Sequence, residues 1–184
     1  MASVLIPLAD GFEEIEAVTV IDLLRRAGIE VVVAGLADGP VRGSHDIPVT
    51  PDLGLDDALA RDYDMMVLPG GMPGADHLEA DERVRELLTR LANSGRFTAA
   101  ICAAPKVLAA AGLLEGRRAT SFPGFLDPAQ TPGLTLSEDP VVQDGRVITS
   151  RGPGTAMDFA LALIENLVGS DVRHEVEGRL QRPG

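Results

Sequence analysis

The side chain best suited to chemistry is Cys102, the only cysteine in 184 residues. It stands in Ala99-Ala100-Ile101-Cys102-Ala103-Ala104-Pro105, where an apolar strand gives way to a helical pattern. Small neighbours leave room for a tight bend of the nucleophile-elbow kind. Pro105 suits a first helical turn, where no N–H partner is lost. Free amides at such a start favour an anion, so the thiol is expected to fall from about 8.5 towards roughly 4–7. A lone cysteine also serves as a small buried hydrophobe, and position alone leaves both readings open. Glu16 is the second candidate. With Val20, Leu23 and Ala27 it falls at i, i+4, i+7 and i+11, one stripe of a helix, and the other three members are apolar. A carboxyl group on that stripe points inward and tends to hold its proton, unless it caps the helix or reaches a wet edge. Glu13 and Glu14 read as first-turn residues complementing the helix dipole. Third is Leu68-Pro69-Gly70-Gly71, whose glycines follow an apolar run. They let backbone N–H groups approach a ligand or an oxyanion, or they make only a tight turn. No G-x-G-x-x-G or GK[ST] pattern follows that run, so a nucleotide is not expected.

The histidines count mainly as missing bases. A Cys–His hydrolase needs an imidazole within hydrogen-bond reach of its thiol. His45 and His77 lie in loop-like or helix-start surroundings and His174 in a charged C-terminal stretch, so all three are expected at the surface. His45 is the most open of them, since its loop can fold over the site or over a partner subunit's site. One cysteine and three scattered histidines give neither a disulfide framework nor a zinc pattern.

Strand-like runs alternate with helical patterns and so position these residues. Val4–Leu8, a helix over Glu13–Ala27 and the strand Glu30–Ala34 come first. A short insertion strand, Asp46–Thr50, precedes the strand Tyr63–Leu68 and helices through Asp76–Asn93. Phe97–Ile101, a helix over Ala103–Ala111 and a Pro/Gly-rich loop over Phe122–Ser137 follow. Asp144-Gly145 marks a hairpin between Val141–Gln143 and Arg146–Thr149, and a helix over Thr155–Val168 ends in a polar tail, 170–184. The pattern predicts an α/β chain, residues 1–184 as one domain, built on a doubly wound, mostly parallel sheet. Sites in such sheets gather at the carboxyl ends of the strands, where Ala9–Glu16, Pro69–Gly74 and Cys102–Pro105 all fall.

A net charge of −12 and 3% aromatic residues argue against nucleic acid or an anionic membrane as a docking partner. Phe97–Leu114 is 18 residues long with Lys106 its only charge, but Pro105-Lys106 at its centre favours strand then helix over a membrane span. The first residues lack a basic leader, and the lone thiol suits a reducing, cytoplasmic setting.

Together these motifs resemble the ThiJ/PfpI superfamily, in the branch of the parkinsonism-associated deglycase and bacterial YajL. The resemblance rests on Ala9-Asp10-Gly11-Phe12-Glu13-Glu14-Ile15-Glu16, Arg25-Arg26-Ala27-Gly28-Ile29 with Val33-Ala34-Gly35-Leu36, Leu68-Pro69-Gly70-Gly71, Ala100-Ile101-Cys102-Ala103-Ala104-Pro105, and Thr149-Ser150-Arg151-Gly152-Pro153-Gly154-Thr155. It implies a flavodoxin-like fold, a homodimer, and no cofactor or metal. By position, Cys102 would be the nucleophile, Glu16 its protonated hydrogen-bond donor, and Gly70, Gly71 and Ala103 the backbone donors around a substrate oxygen. His45 stands where the branch carries an Arg reaching towards the partner's site, and Arg26 matches a second such position. Protease-like members place His after the cysteine, where this chain has Ala103. The branch brings a His from the segment matching Thr120-Ser121-Phe122-Pro123, where this chain has Phe122. The amidotransferase H-x-E motif fails at His174, since Val176 stands two residues on. The resemblance implies glyoxalase-III or deglycase-type chemistry on a small aldehyde such as methylglyoxal or glyoxal. The alternative is an oxidative-stress sensor or chaperone whose cysteine becomes a sulfinic acid.

Overall fold

The computed structural model describes residues 1–182. In chain order the elements are β1 (Ser3–Leu8), α1 (Glu14–Arg26), β2 (Glu30–Gly35), β3 (Val41–Arg42), β4 (Pro48–Val49), β5 (Leu53–Gly54), α2 (Leu55–Ala58) and β6 (Met65–Leu68). Then come α3 (Gly74–Ala80), α4 (Glu82–Asn93), β7 (Phe97–Ile101), α5 (Pro105–Ala110), β8 (Arg118–Ala119), β9 (Thr135–Leu136), β10 (Val141–Asp144) and β11 (Val147–Ser150). A 3₁₀ turn (Pro153–Thr155), α6 (Ala156–Val168) and α7 (Ser170–Arg179) close the chain.

The main sheet runs β10-β11-β7-β6-β1-β2-β5. All neighbours in it are parallel except the hairpin β10–β11, in which Val141 faces Ser150. Strands β1, β6 and β7 read as unbroken apolar runs because both faces are covered. Val4, Ile6 and Leu8 join the layer formed with α1 and α6, together with Met65, Val67, Ala99, Ile101 and Phe159. Leu5, Met66, Leu68 and Ala100 join the opposite layer, with Leu78 of α3, Leu87 of α4 and Leu108 of α5. This is a flavodoxin-like α/β arrangement of three layers, and because β1, β6, β7 and β11 run the same way, their carboxyl ends share one edge.

Several elements depart from the sequence expectation. The strand before the double glycine is Met65–Leu68; Tyr63 precedes it, buried, with its hydroxyl donating to the Ala58 carbonyl at 3.0 Å. The helices through 76–93 are as expected, two of them, parted at Asp81, whose carboxylate accepts the Arg83 N–H and caps α4. The insertion strand is only Pro48–Val49, and it pairs with Val41–Arg42 as a small separate hairpin. Within the expected loop, Thr135–Leu136 pairs in parallel with Arg118–Ala119. The helix after Cys102 begins only at Pro105 and is six residues long. Within the expected polar tail, 170–184, Ser170–Arg179 forms α7, which packs on α6 through buried Val176 and half-buried Val172 and Leu180; residues 183–184 lie outside the described residues, and three apolar side chains four apart are a weak signal in an otherwise charged sequence. Among the described residues, no helix is long and apolar enough to cross a membrane.

Candidate active site

Three carboxyl-end loops meet at Cys102. The residue has φ = 64°, the left-handed region that a side chain with Cβ rarely enters. Both of its backbone groups are pinned: its N–H donates to the Ser150 carbonyl at 2.9 Å, and its carbonyl accepts the Phe122 N–H at 2.8 Å. A turn closed by the Ala104 N–H on the Ile101 carbonyl at 3.0 Å carries the chain into α5. Strain held from two sides in this way marks functional turns, and here it stands the thiol up from the sheet edge.

Glu16 meets it from α1. Its stripe is as expected: Glu16, Val20 and Leu23 are buried and Ala27 half-buried. Glu16 Oε2 accepts the Gly70 N–H at 2.8 Å, and the Glu13 N–H donates to the Gly70 carbonyl at 2.9 Å. The double-glycine loop and the start of α1 are therefore locked from both sides. A Cβ on Gly70 would stand 2.7 Å from Cys102 Cβ and 2.7 Å from Glu16 Oε2. Gly71 has φ = 89° and a Cβ there would strike the Glu13 and Gly11 backbone, so glycine at 71 is fixed by conformation and by space. Glu16 Oε1 is fully buried and has no conventional hydrogen-bond partner. The Cys102 thiol is the group that interacts with this carboxyl.

Burial raises Glu16 to about 7, against the Cys102 thiol and the Gly70 N–H, which favour its charged form. Burial first, then the charge and hydrogen bond of an ionised Glu16, push the thiol up to about 12. The N–H groups of Gly71 and Ala103 work in the opposite direction. The lowered thiol expected from a helix start is thus not what the pair has while Glu16 is charged. The six-residue α5 offers little dipole, and the amides that do face the sulfur come from the two turns. Two of the three effects that raise the thiol disappear when Glu16 carries the proton. Between the two ionisations the pair holds one negative charge and one proton.

Glu13 and Glu14 do more than complement the helix dipole. Glu13 caps α1, accepting the Ile15 N–H at 3.3 Å. Glu14 is buried and accepts the His45 N–H at 2.7 Å, the His45 ring Nδ1 at 3.0 Å and the Ile47 N–H at 3.4 Å. Burial opposes its charge, but its own N–H, the His45 ring and the N–H groups of His45 and Ile47 outweigh that and hold it down at about 2. His45 is raised in turn, first by its hydrogen bond to Glu14 and then by the charges of Glu13 and Glu14. These three are the cluster of possible metal ligands among the described residues, their ligand atoms within 4.8 Å of one another. Sequence reasoning missed the contact because 31 residues separate Glu14 from His45 and a loop brings them together.

His77 and His174 are exposed, as expected, and His77 Nδ1 lies 3.1 Å from the Asp10 carbonyl. Arg26 sits at the far end of α1, paired with Asp22 at 2.9 Å; ten residues of helix put it about 15 Å along the axis from Glu16. Within one chain, then, Cys102, Glu16, Gly70, Gly71 and Ala103 come together, His45 is held on Glu14, two residues before Glu16, and Arg26 lies apart.

This constellation agrees with the known proteins the chain resembles. Residues 2–166 match the model of the DJ-1/PfpI family. The chain belongs to that family. The Parkinson disease protein 7 homolog of Danio rerio is 43% identical over 179 residues, 96% of this chain and 95% of that protein. The glutathione-independent glyoxalase DJR-1.2 of Caenorhabditis elegans is 38% identical over 170 residues, 92% of this chain and 90% of that protein. Among solved structures, oxidized Toxoplasma gondii DJ-1 superposes with a TM-score of 0.93 at 38% identity, covering all of both chains. The family resemblance read from the five motifs is thereby borne out.

Proposed function

We propose that this family member is a cofactor-free, cysteine-dependent enzyme of the glyoxalase-III or deglycase type, acting on methylglyoxal, glyoxal or their early adducts. The observation that carries the reading is the buried Cys102–Glu16 pair with two backbone N–H groups at the sulfur. The proton of the pair rests on Glu16: as O–H, the orphaned Oε1 gains a use as donor to the sulfur, whereas as a bare carboxylate oxygen it stays desolvated and unsatisfied. The sulfur then carries the charge opposite the Gly71 and Ala103 amides.

The thiolate adds to the aldehyde carbon of R–CO–CHO, and the resulting oxyanion takes the Glu16 proton, giving a hemithioacetal. Gly71 and Ala103 steady the developing oxyanion. The Glu16 carboxylate then removes the hydrogen from that carbon and returns a proton to the neighbouring carbon, while the hydroxyl proton passes to the former ketone oxygen, which makes a thioester of a 2-hydroxy acid. Water cleaves the thioester, releasing lactate or glycolate and the thiolate. The sum is the addition of one water with no external oxidant. Glu16 serves as acid, base and acid again, which a group held near 7 suits. The name of the 38%-identical Caenorhabditis elegans relative supports this reaction class. The test is methylglyoxal consumption with lactate formation by wild type and Cys102→Ala. Equal rates in the two proteins reject the reading.

A second reading draws on the same sulfur. Two equivalents of peroxide convert the thiolate to a sulfinate and release two waters, and a protonated Glu16 can donate to the new oxygen. The oxidised state named for the Toxoplasma gondii relative favours it. Intact mass after mild peroxide decides: no two-oxygen adduct, or one that survives Cys102→Ser, rejects a sensor or chaperone role.

We also propose a homodimer. Ile15 and Val18 stay exposed on α1 outside the Glu16 stripe, and Ile47 is exposed in the hairpin that Glu14 holds against that helix. A second copy covering this apolar face would bring His45 near the joint.

A further inference from the structure

Phe122 is one of the large apolar side chains left at the surface, 45% exposed. It is not there as a stray loop residue. Its N–H donates to the carbonyl of Cys102, and two residues before it the buried Thr120 N–H donates to Thr149 Oγ1 of β11 at 2.9 Å. The Ser150 carbonyl that accepts the Cys102 N–H leads in two residues to Gly152, and the Phe122 ring lies 3.4 Å from where a Cβ on Gly152 would stand. Phe125 meets the ring edge-on, with centroids 6.2 Å apart and planes at 72°. The ring thus stands on one of the two segments that pin the nucleophile and beside the other, with Phe125 at its edge. Beyond the opposite turn, Met72 follows Gly71, whose amide faces the sulfur, and is also 41% exposed.

We infer that Phe122 is a specificity-determining residue, selecting α-oxoaldehydes whose substituent is apolar, aryl above all, over glyoxal, whose substituent is a hydrogen atom. The inference rests on the glyoxalase-type reading and names the substrate class of that site. A phenyl ring carries no proton and no lone pair for catalysis, so what it offers is apolar contact and an aromatic edge or face. The aldehyde carbon has to sit on the Cys102 sulfur. The turn that carries the ring is one hydrogen bond from the Cys102 carbonyl, and Phe122 is the exposed apolar side chain on it.

The experiment compares kcat/KM for phenylglyoxal and for glyoxal in wild type, Phe122→Ala and Phe122→Leu. The phenylglyoxal-to-glyoxal ratio is expected to fall about tenfold in Phe122→Ala, the scale on which a small apolar group counts in a binding site, and by less in Phe122→Leu. A ratio within about twofold of wild type in Phe122→Ala overturns the inference. A parallel arm needs no turnover: the rate of Cys102 alkylation by N-benzyliodoacetamide relative to iodoacetamide, followed by intact mass. That ratio too is expected to fall several-fold in Phe122→Ala, and an unchanged ratio overturns the inference. Where wild type consumes neither aldehyde, the glyoxalase-type reading fails while the alkylation ratio still decides the role of Phe122.

Discussion

In the proposed reaction, a single proton shared by Cys102 and Glu16 lets the site start an addition without an imidazole beside the thiol. The sequence showed Glu16 on an apolar stripe, and burial followed from the helical period alone. It did not show the thiol's true environment, because the charge beside a sulfur depends on which helix packs there. Amides at the turn lower the thiol, but burial and a charged Glu16 outweigh them. Gly70 was legible as a site of close approach, though not what approaches it. Its replacement by Ala is expected to push the pair apart, because the new Cβ falls 2.7 Å from both Cys102 Cβ and Glu16 Oε2. A displacement of about 1 Å lowers kcat on the order of a hundredfold. Methylglyoxal turnover by Gly70→Ala checks this, with circular dichroism confirming that the variant folds.

The elements that hold the site were read unevenly. Buried parallel strands announce themselves as apolar runs, and β1, β6 and β7 were found within two residues of their ends. Of the β3–β4 hairpin only β4 was legible, inside Asp46–Thr50, since the two residues of β3 carry no alternation. What fixes that hairpin is Glu14, whose carboxylate gathers N–H groups from His45 and Ile47. Its folded value of about 2 lies below the ordinary 4.5. A carboxyl held down in the fold stabilises it above its unfolded value, and that contribution is lost as pH falls from about 4.5 towards 2. Glu14→Gln is therefore expected to cost roughly 2 kcal/mol at pH 7, the scale of hydrogen bonds to a charged acceptor. The gap to wild type should close through that acid window. Urea unfolding at a series of pH values measures it, and a gap that persists at pH 2 contradicts the assignment.

At the scale of the molecule, two apolar layers clamp the sheet whose carboxyl edge carries the site. Phe159 of α6 is fully buried between sheet and helices, and Phe159→Ala is expected to destabilise by about 3–5 kcal/mol in chemical denaturation. Helix α7 lay hidden in a polar stretch because its apolar stripe is only Val172, Val176 and Leu180, among charged residues. The outer face of α1 was legible as apolar residues off the main stripe. If a second copy covers it, Val18→Asp should yield a lighter species than wild type by analytical ultracentrifugation. Equal masses at the same concentration speak against that face.

The pH dependence of Cys102 alkylation by iodoacetamide bears most directly on where the shared proton sits. With the charge on sulfur, the rate rises to a plateau with a midpoint at or below about 7, the first ionisation of the pair. Glu16→Gln, which cannot ionise, should likewise keep its midpoint below the roughly 8.5 of free cysteine. A wild-type midpoint at or above that value would place the proton on sulfur and contradict the account.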